Sequence, residues 1–548
     1  MSLQQGISEF RSQFRGVVLE PGDSGYDEAR RVYNGAIDRK PRLIARCTDA
    51  ADVMAAVRMA RSQDLQVSIR GGGHNAAGLG VCDNGMVIDL APIRYVRVDP
   101  ASRTVLAGAG CTWSDVDHAT HAFGLAVPSG IISSTGVAGL TLGGGLGHLS
   151  RKFGLTIDNL LSVDMVLADG SFATASAEEN PDLFWAVRGG GGNFGIVISF
   201  LFEAHPVDTV CAGPMLWNLE DAADVMKWYR EFITQAPEDM NGFFAMMTVP
   251  PGPPFPEELH LRKMCGIVWC YQGSLEQANT ILEPLRSYRP PAFEFFAPMP
   301  FPMLQGMFDG IYPAGLQWYW KADFFRELSD EAIDKHLEHA ALLPTWQSTM
   351  HLYPVNGRVN RVGEAETAFS YRDAVWSEVI VGVDPDPANY SKITTWAKNY
   401  YDALHPFGAG GAYLNFMMEE GEDRIQATYR GNYGRLAAIR SEVRSGQFFP
   451  GEPEHPAGRQ RQPSFDQQPI SGGESATPPP ARISCWTRSC SESIATSASV
   501  AIPALMSTGS RLRVTSVTIT AAGLSAPPQI PASRLSVGVG SPAPVKAE

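Results

Sequence analysis

Apolar residues at Val53, Ala56, Val57 and Ala60 recur at helical spacing behind a Thr48–Asp49 cap, which predicts an amphipathic helix running into a strand at 66–69. Between Met86 and Gly110 the segments MVIDL, YVRVD and TVLAGAG are short, β-branched and separated by turn residues, so stacked strands are expected there. The segment leading into Gly190 reads as helix-like and 196–202 as an apolar strand. From about 207 to 409 the texture changes to longer helical patterns, at 220–234 and 329–342, mixed with aromatic-rich strands and a proline cluster at 250–256, as a second domain would show. Segments 411–418 and 429–440 read as a strand and a helix that return to the first domain and leave a cleft between the two.

The strand at 66–69 ends in Arg70-Gly71-Gly72-Gly73-His74-Asn75. Three successive glycines remove every Cβ, so the chain can take positive φ and aim several N–H groups at one anion, such as a cofactor diphosphate, with an imidazole at the rim. A glycine-dense stretch follows, holding Ser129-Gly130, Thr135-Gly136-Val137-Ala138-Gly139 and Gly143-Gly144-Gly145-Leu146-Gly147, a spacing suited to repeated main-chain contact with an extended planar ligand. Gly190-x-Gly192-x-x-Gly195 matches the dinucleotide string GxGxxG. It follows a helix and opens a strand, the reverse of the Rossmann order, so a different nucleotide fold is required.

Composition narrows the partners. The chain has 548 residues, enough for roughly three domains. Its 44 Lys+Arg against 58 Asp+Glu give a net charge of -14, which disfavours nucleic acid and anionic membrane surfaces and leaves a small molecule. The first 25 residues lack the apolar core of a signal peptide and no later stretch approaches a membrane span, so a cytoplasmic location is expected. Eight scattered cysteines show no CxxC pair or zinc spacing, which predicts buried free thiols and no metal site.

Taken in order, RGGGHN at 70–75, GVAGLTLGGGLGHLSRKFGLTIDN at 136–159, DLFWAVRGGGGNFG at 182–195, and the late GAYLNF and YRGNYGRL segments make the chain resemble the berberine-bridge-enzyme-like FAD-linked oxidases of the vanillyl-alcohol-oxidase superfamily. The resemblance runs from about Lys40 to Glu442. It implies an α+β protein: a helical lead-in (1–37), a PCMH-type FAD-binding domain (38–206), an inserted substrate domain with an antiparallel sheet covered by helices (207–410), and a return to the FAD domain (411–442). It also implies FAD bonded covalently to His74. Ile132 occupies the place where some members carry a second, cysteinyl link, so a single histidyl attachment is expected. Cofactor contacts are expected from Arg70, Gly71, Gly72, Gly73, Asn75, Gly78, Ser129, Gly130, Thr135, Gly136, Gly139, Gly144, Gly195 and Val197, and from Asn432 at the flavin ring.

A base must accept a proton while hydride leaves the substrate, and a tyrosine serves if its pKa is tuned by neighbours. Tyr413 in Tyr413-x-Asn415 is the first choice, since bacterial relatives use the tyrosine of that motif; Tyr353 is the second and Glu366 the third. Trp318, Tyr319 and Trp320 offer an aromatic cleft wall. The resulting expectation is an oxidase acting on an alcohol, sugar or secondary metabolite with O2 as acceptor. Its rivals are a dehydrogenase using another acceptor and a non-catalytic flavin protein. Beyond Glu442 the chain is rich in Ser, Pro, Ala, Thr and Gly without any period. With suitable codons, 443–456 read one base later give YDPGNFFRVNQNIP, which resembles the family's closing motif; either a disordered tail or a frameshift near Glu442 accounts for this, and resequencing the gene decides between them.

Overall fold

The computed structural model describes residues 3–443; the tail after 443, with the two readings attached to it, lies outside the described residues. The capped helix forms at Ala50–Ser62, with the Asp49 carboxylate accepting the Asp52 N–H. It packs beside a four-stranded sheet in the order Val17–Leu19, Leu43–Arg46, Met86–Asp89, Val67–Arg70, whose last three strands are parallel. The lead-in at 1–37, expected to be helical, departs from that expectation: its first helix ends at Gln13, and Val17–Leu19 supplies an edge strand. A second, antiparallel sheet runs Val96–Asp99, Thr104–Gly108, Ile196–Glu203, Leu160–Val166, Phe172–Ser176. Its strand Ile196–Glu203 follows the helix Pro181–Val187, the element order read for the GxGxxG segment.

From Thr209 onward the strands join a third sheet of eight, all antiparallel, with Met240–Thr248 and Thr349–Pro354 at its centre and Trp376–Asp384 beside the edge strand Gln317–Phe325. Helices Ala222–Gln235, Leu275–Tyr288, Asp330–Ala340 and Tyr390–Leu404 cover one face. Strand alternation sorts the side chains: Met350, Leu352 and Ile380 enter the helix-side core, while Thr349, His351, Tyr353, Val379 and Val381 face a cavity on the other side. Trp318 and Trp320 share that cavity face, whereas Tyr319 points the opposite way, under the Lys398 ammonium.

The segment 411–418, expected to be a strand, is a short 3-10 turn at Leu414–Phe416. Gly411 O accepts the Phe324 N–H of the neighbouring strand at 2.9 Å, and the Tyr413 side chain then leaves to bind the glycine-rich loop. The final helix Tyr433–Val443 packs Leu436 and Ile439 into the same core as the first two sheets, and Arg435 lies over Trp185 while pairing with Asp182 at 2.6 Å. No helix among the described residues is long and apolar enough to cross a membrane, and the six cysteines among them are buried and free.

Candidate active site

A cavity of about 340 Å³ runs from the end of strand Val67–Arg70 to the open face of the eight-stranded sheet. Its first half is backbone. Gly73 takes φ +70°, and its carbonyl is pinned by the Tyr33 N–H at 2.9 Å. A Cβ on Gly72 would sit 2.5 Å from the backbone N and Cα of Gly136, and the reverse substitution meets the same wall, so the two loops touch where any side chain would part them. At Gly139 and Gly192 an added methyl would meet nothing within 4 Å, so there the main chain opens directly on the cavity. Gly72→Ala is therefore expected to lower the thermal midpoint even of flavin-depleted protein, by about 1–3 kcal/mol of overpacking. Gly139→Ala should leave that midpoint unchanged and cut the flavin bound per chain; equal melting losses in both would sink this assignment.

Arg70 contributes only its backbone to this surface. Its guanidinium turns away to Asp89, 2.7 and 3.2 Å from the two carboxylate oxygens, and to the carbonyls of Ala29 and Arg31, because Arg70 and Asp89 are register partners on adjacent parallel strands. Asn75 closes the following turn by accepting the Leu79 N–H at 3.1 Å. His74 stacks on Tyr33 (3.8 Å between centroids, 17°), and its Nε2 lies 3.2 Å from Ser134 Oγ. Burial pulls the imidazole pKa down to about 4, against the opposing Ser134 contact, so the ring is neutral at ordinary pH.

The second half of the cavity is aromatic and carries the tyrosines. Tyr413 is almost fully enclosed, and its hydroxyl oxygen accepts from Gly145 N–H (2.8 Å), Leu146 N–H (3.2 Å) and Asn415 Nδ2 (2.7 Å). A neutral phenol has two lone pairs, so three converging donors favour its phenolate form relative to a phenol buried without them. Burial drives the pKa up, to about 12, and these three donors oppose it. Tyr353 lies across Phe416 from Tyr413, with ring centroids 5.6 and 4.8 Å from the Phe416 ring, and bonds His351 Nδ1 at 2.8 Å.

Of the residues anticipated at this site, Gly71, Gly72, Gly73, His74, Asn75, Gly130, Thr135, Gly136, Gly139, Gly195, Val197, Tyr353 and Tyr413 line the cavity, as does Ile132. Five do not. Glu366 is exposed and accepts the Gly363 N–H at 2.8 Å. Asn432, expected at the ring, spends its amide on the carbonyls of Glu364, Thr367 and Ala368 and braces that loop instead. Gly78 backs onto Ile37, and Gly144 onto the rings of Phe369 and Tyr413, one layer behind the lining. Ser129 faces Gln305, whose Nε2 donates to it at 2.6 Å. Tyr33, Ser134 and His351 join the site without any motif that marks them. Only the alternation with Tyr353 could have revealed His351; Tyr33 and Ser134 carry no local signal.

Gln305 also reaches Asp117, a carboxyl buried beneath this loop, at 3.4 Å. Asp117 Oδ1 and Gln305 Oε1 both lack a partner, and burial raises the Asp117 pKa to about 8 although the Gln305 contact lowers it. The folded state thus holds a proton that the unfolded chain releases near pH 4. Its stabilising effect is complete below that value and declines, by up to about 1.4 kcal/mol per pH unit, until pH passes about 8. Asp117→Asn, neutral throughout and able to donate to Gln305 Oε1, should melt above the wild type at pH 8, with a margin that closes toward pH 4; a margin independent of pH contradicts this.

A family model described as an FAD binding domain matches residues 41–176. An FAD-linked oxidoreductase of Dictyostelium discoideum is 28% identical over 448 residues, covering 81% of this chain and 95% of that protein. The (R)-6-hydroxynicotine oxidase of Paenarthrobacter nicotinovorans is 41% identical over 204 residues, 37% of this chain and 44% of that protein. Among solved structures, Physcomitrella patens BBE-like 1 superposes with a TM-score of 0.74 at 22% identity, over 84% of this chain and 100% of that one. The match to the FAD binding domain falls on the same glycines, from Gly71 to Gly139, whose bare backbone lines the cavity, and similarity to a named relative extends over four fifths of the chain; the protein is an FAD-linked oxidoreductase with the berberine-bridge-like fold.

Proposed function

We propose that this protein oxidises an alcohol, sugar or secondary-metabolite substrate by hydride transfer to FAD held covalently through His74, with O2 accepting the electrons to give H2O2. In this reading residues 207–410 form the substrate domain and 411–442 close the FAD domain. When bound, FAD supplies the two-electron acceptor. The glycine loops at 71–73, 136–139 and 192–195 would hold it by main-chain contact, and neutral His74 is the nucleophile available at their rim. The single observation that carries the reading is Tyr413, whose oxygen sits under three N–H donors in the same cavity as His74. Those donors stabilise the phenolate, and a phenolate there takes the proton from a substrate hydroxyl as the carbon gives up hydride. Tyr353, hydrogen-bonded to His351, is the second candidate for that proton.

The test begins with the visible spectrum of purified protein before and after acid precipitation. Yellow colour retained in the pellet supports attachment through His74 and justifies screening alcohols and sugars for H2O2 release. Reduction of an artificial dye without H2O2 would make the protein a dehydrogenase, and a colourless protein would overturn the proposal.

A further inference from the structure

The substrate half of the cavity has an unusual economy of polar groups. Among the described residues lining the whole cavity, Arg70 alone carries a formal charge; it belongs to the backbone half, and its charge is spent on Asp89. Trp318, Trp320, Tyr312 and Phe416 supply flat apolar surface. On the strand Thr349–Pro354 three side chains reach the cavity, and Thr349 is committed to the Met246 carbonyl at 2.9 Å. Tyr353 and His351 then have only each other: Oη and Nδ1 lie 2.8 Å apart, and neither has another protein partner among the described residues.

That isolation settles the tautomer. A buried phenolic O–H without an acceptor is costly, and His351 Nδ1 is the one acceptor it meets, so Tyr353 donates. The imidazole proton is then on Nε2. Unlike the Nε2 atoms of His148 and His336, which are sealed in protein without partners, His351 Nε2 keeps open surface on the cavity. Burial holds this imidazole neutral, so it offers one directed N–H donor and no charge.

We propose that His351 is a specificity-determining residue: its Nε2–H recognises a second oxygen, a carbonyl, ether or hydroxyl, on a neutral ring substrate whose reacting oxygen sits at Tyr413. This rests on the reading of the cavity as the substrate site. The ring series Tyr413, Phe416, Tyr353, His351, with successive centroids 4.8, 5.6 and 5.7 Å apart, separates the two anchors, so the second oxygen belongs on the far side of the substrate's ring. A charged substrate is disfavoured, since nothing in the lining would neutralise it.

The probes are 4-hydroxyacetophenone and 4-ethylphenol, which share a phenolic oxygen and differ in the distal carbonyl. Each is titrated into the holoenzyme while the flavin absorbance is followed. The wild type should bind the acetophenone about tenfold more tightly, the worth of one good hydrogen bond. His351→Leu should bring the two within about twofold without weakening 4-ethylphenol, and His351→Gln, which keeps an N–H donor, should restore the preference. Equal binding of the two probes to wild type, or a preference that survives in His351→Leu, overturns the role of His351 and leaves the cavity assignment standing. Absence of any flavin perturbation by either probe overturns the cavity assignment and the proposal with it.

Discussion

Tyr413→Phe is expected to lower kcat by about 10²- to 10⁴-fold, the usual worth of a positioned base, while the flavin spectrum and flavin content stay unchanged. The substitution removes one oxygen from a site where three N–H donors converge, leaving Gly145 N–H, Leu146 N–H and Asn415 Nδ2 without that acceptor. The pH profile carries the diagnosis. On the proposed role of Tyr413 as a phenolate base, the wild-type rate should climb with pH toward the raised pKa, and this climb should be absent from Tyr413→Phe. Rates within a few-fold of wild type, or the same alkaline climb in the variant, would move the base to Tyr353.

His74→Ala should shift the flavin completely, from the acid-precipitated pellet to the supernatant. Purified protein should remain pale yellow, because the substitution leaves untouched the backbone loops around Gly72, Gly139 and Gly192 that the proposal gives to the cofactor. Loss of the bond should also lower the flavin's redox potential and slow turnover. Colour that persists in the His74→Ala pellet would place the attachment on another side chain, and Ser134, beside the imidazole, offers no alternative bond of that kind.

Much of this arrangement is legible in the sequence because it rests on local rules. Glycine runs report a backbone that must bend or lie close to something, and Gly71, Gly72, Gly73, Gly136, Gly139 and Gly195 all line the cavity. The helix-then-strand order around Gly192 correctly removes the Rossmann reading. Five anticipated residues fall outside the lining for a common reason: motif membership records that a residue is near a site without recording its direction. Asn432, expected at the flavin ring, turns its amide toward the loop at 364–368; Glu366 stands next to buried Thr367 and points to solvent.

What the sequence by itself determined is the glycine backbone that lines the cavity, the histidine at its rim and the mixed α+β architecture, since period, turn chemistry and glycine placement act over a few residues. Only the tertiary structure decided which polar groups meet. Tyr413 reaches Gly145 and Leu146 across 268 and 267 positions, and Gln305 reaches Ser129 across 176. Tyr33 and His74, from separate elements, stack into one wall. Contacts of that range depend on how the sheets and return segments pack, and hydrogen-bond satisfaction in a buried cavity then fixes the tautomers and donors that local sequence leaves open.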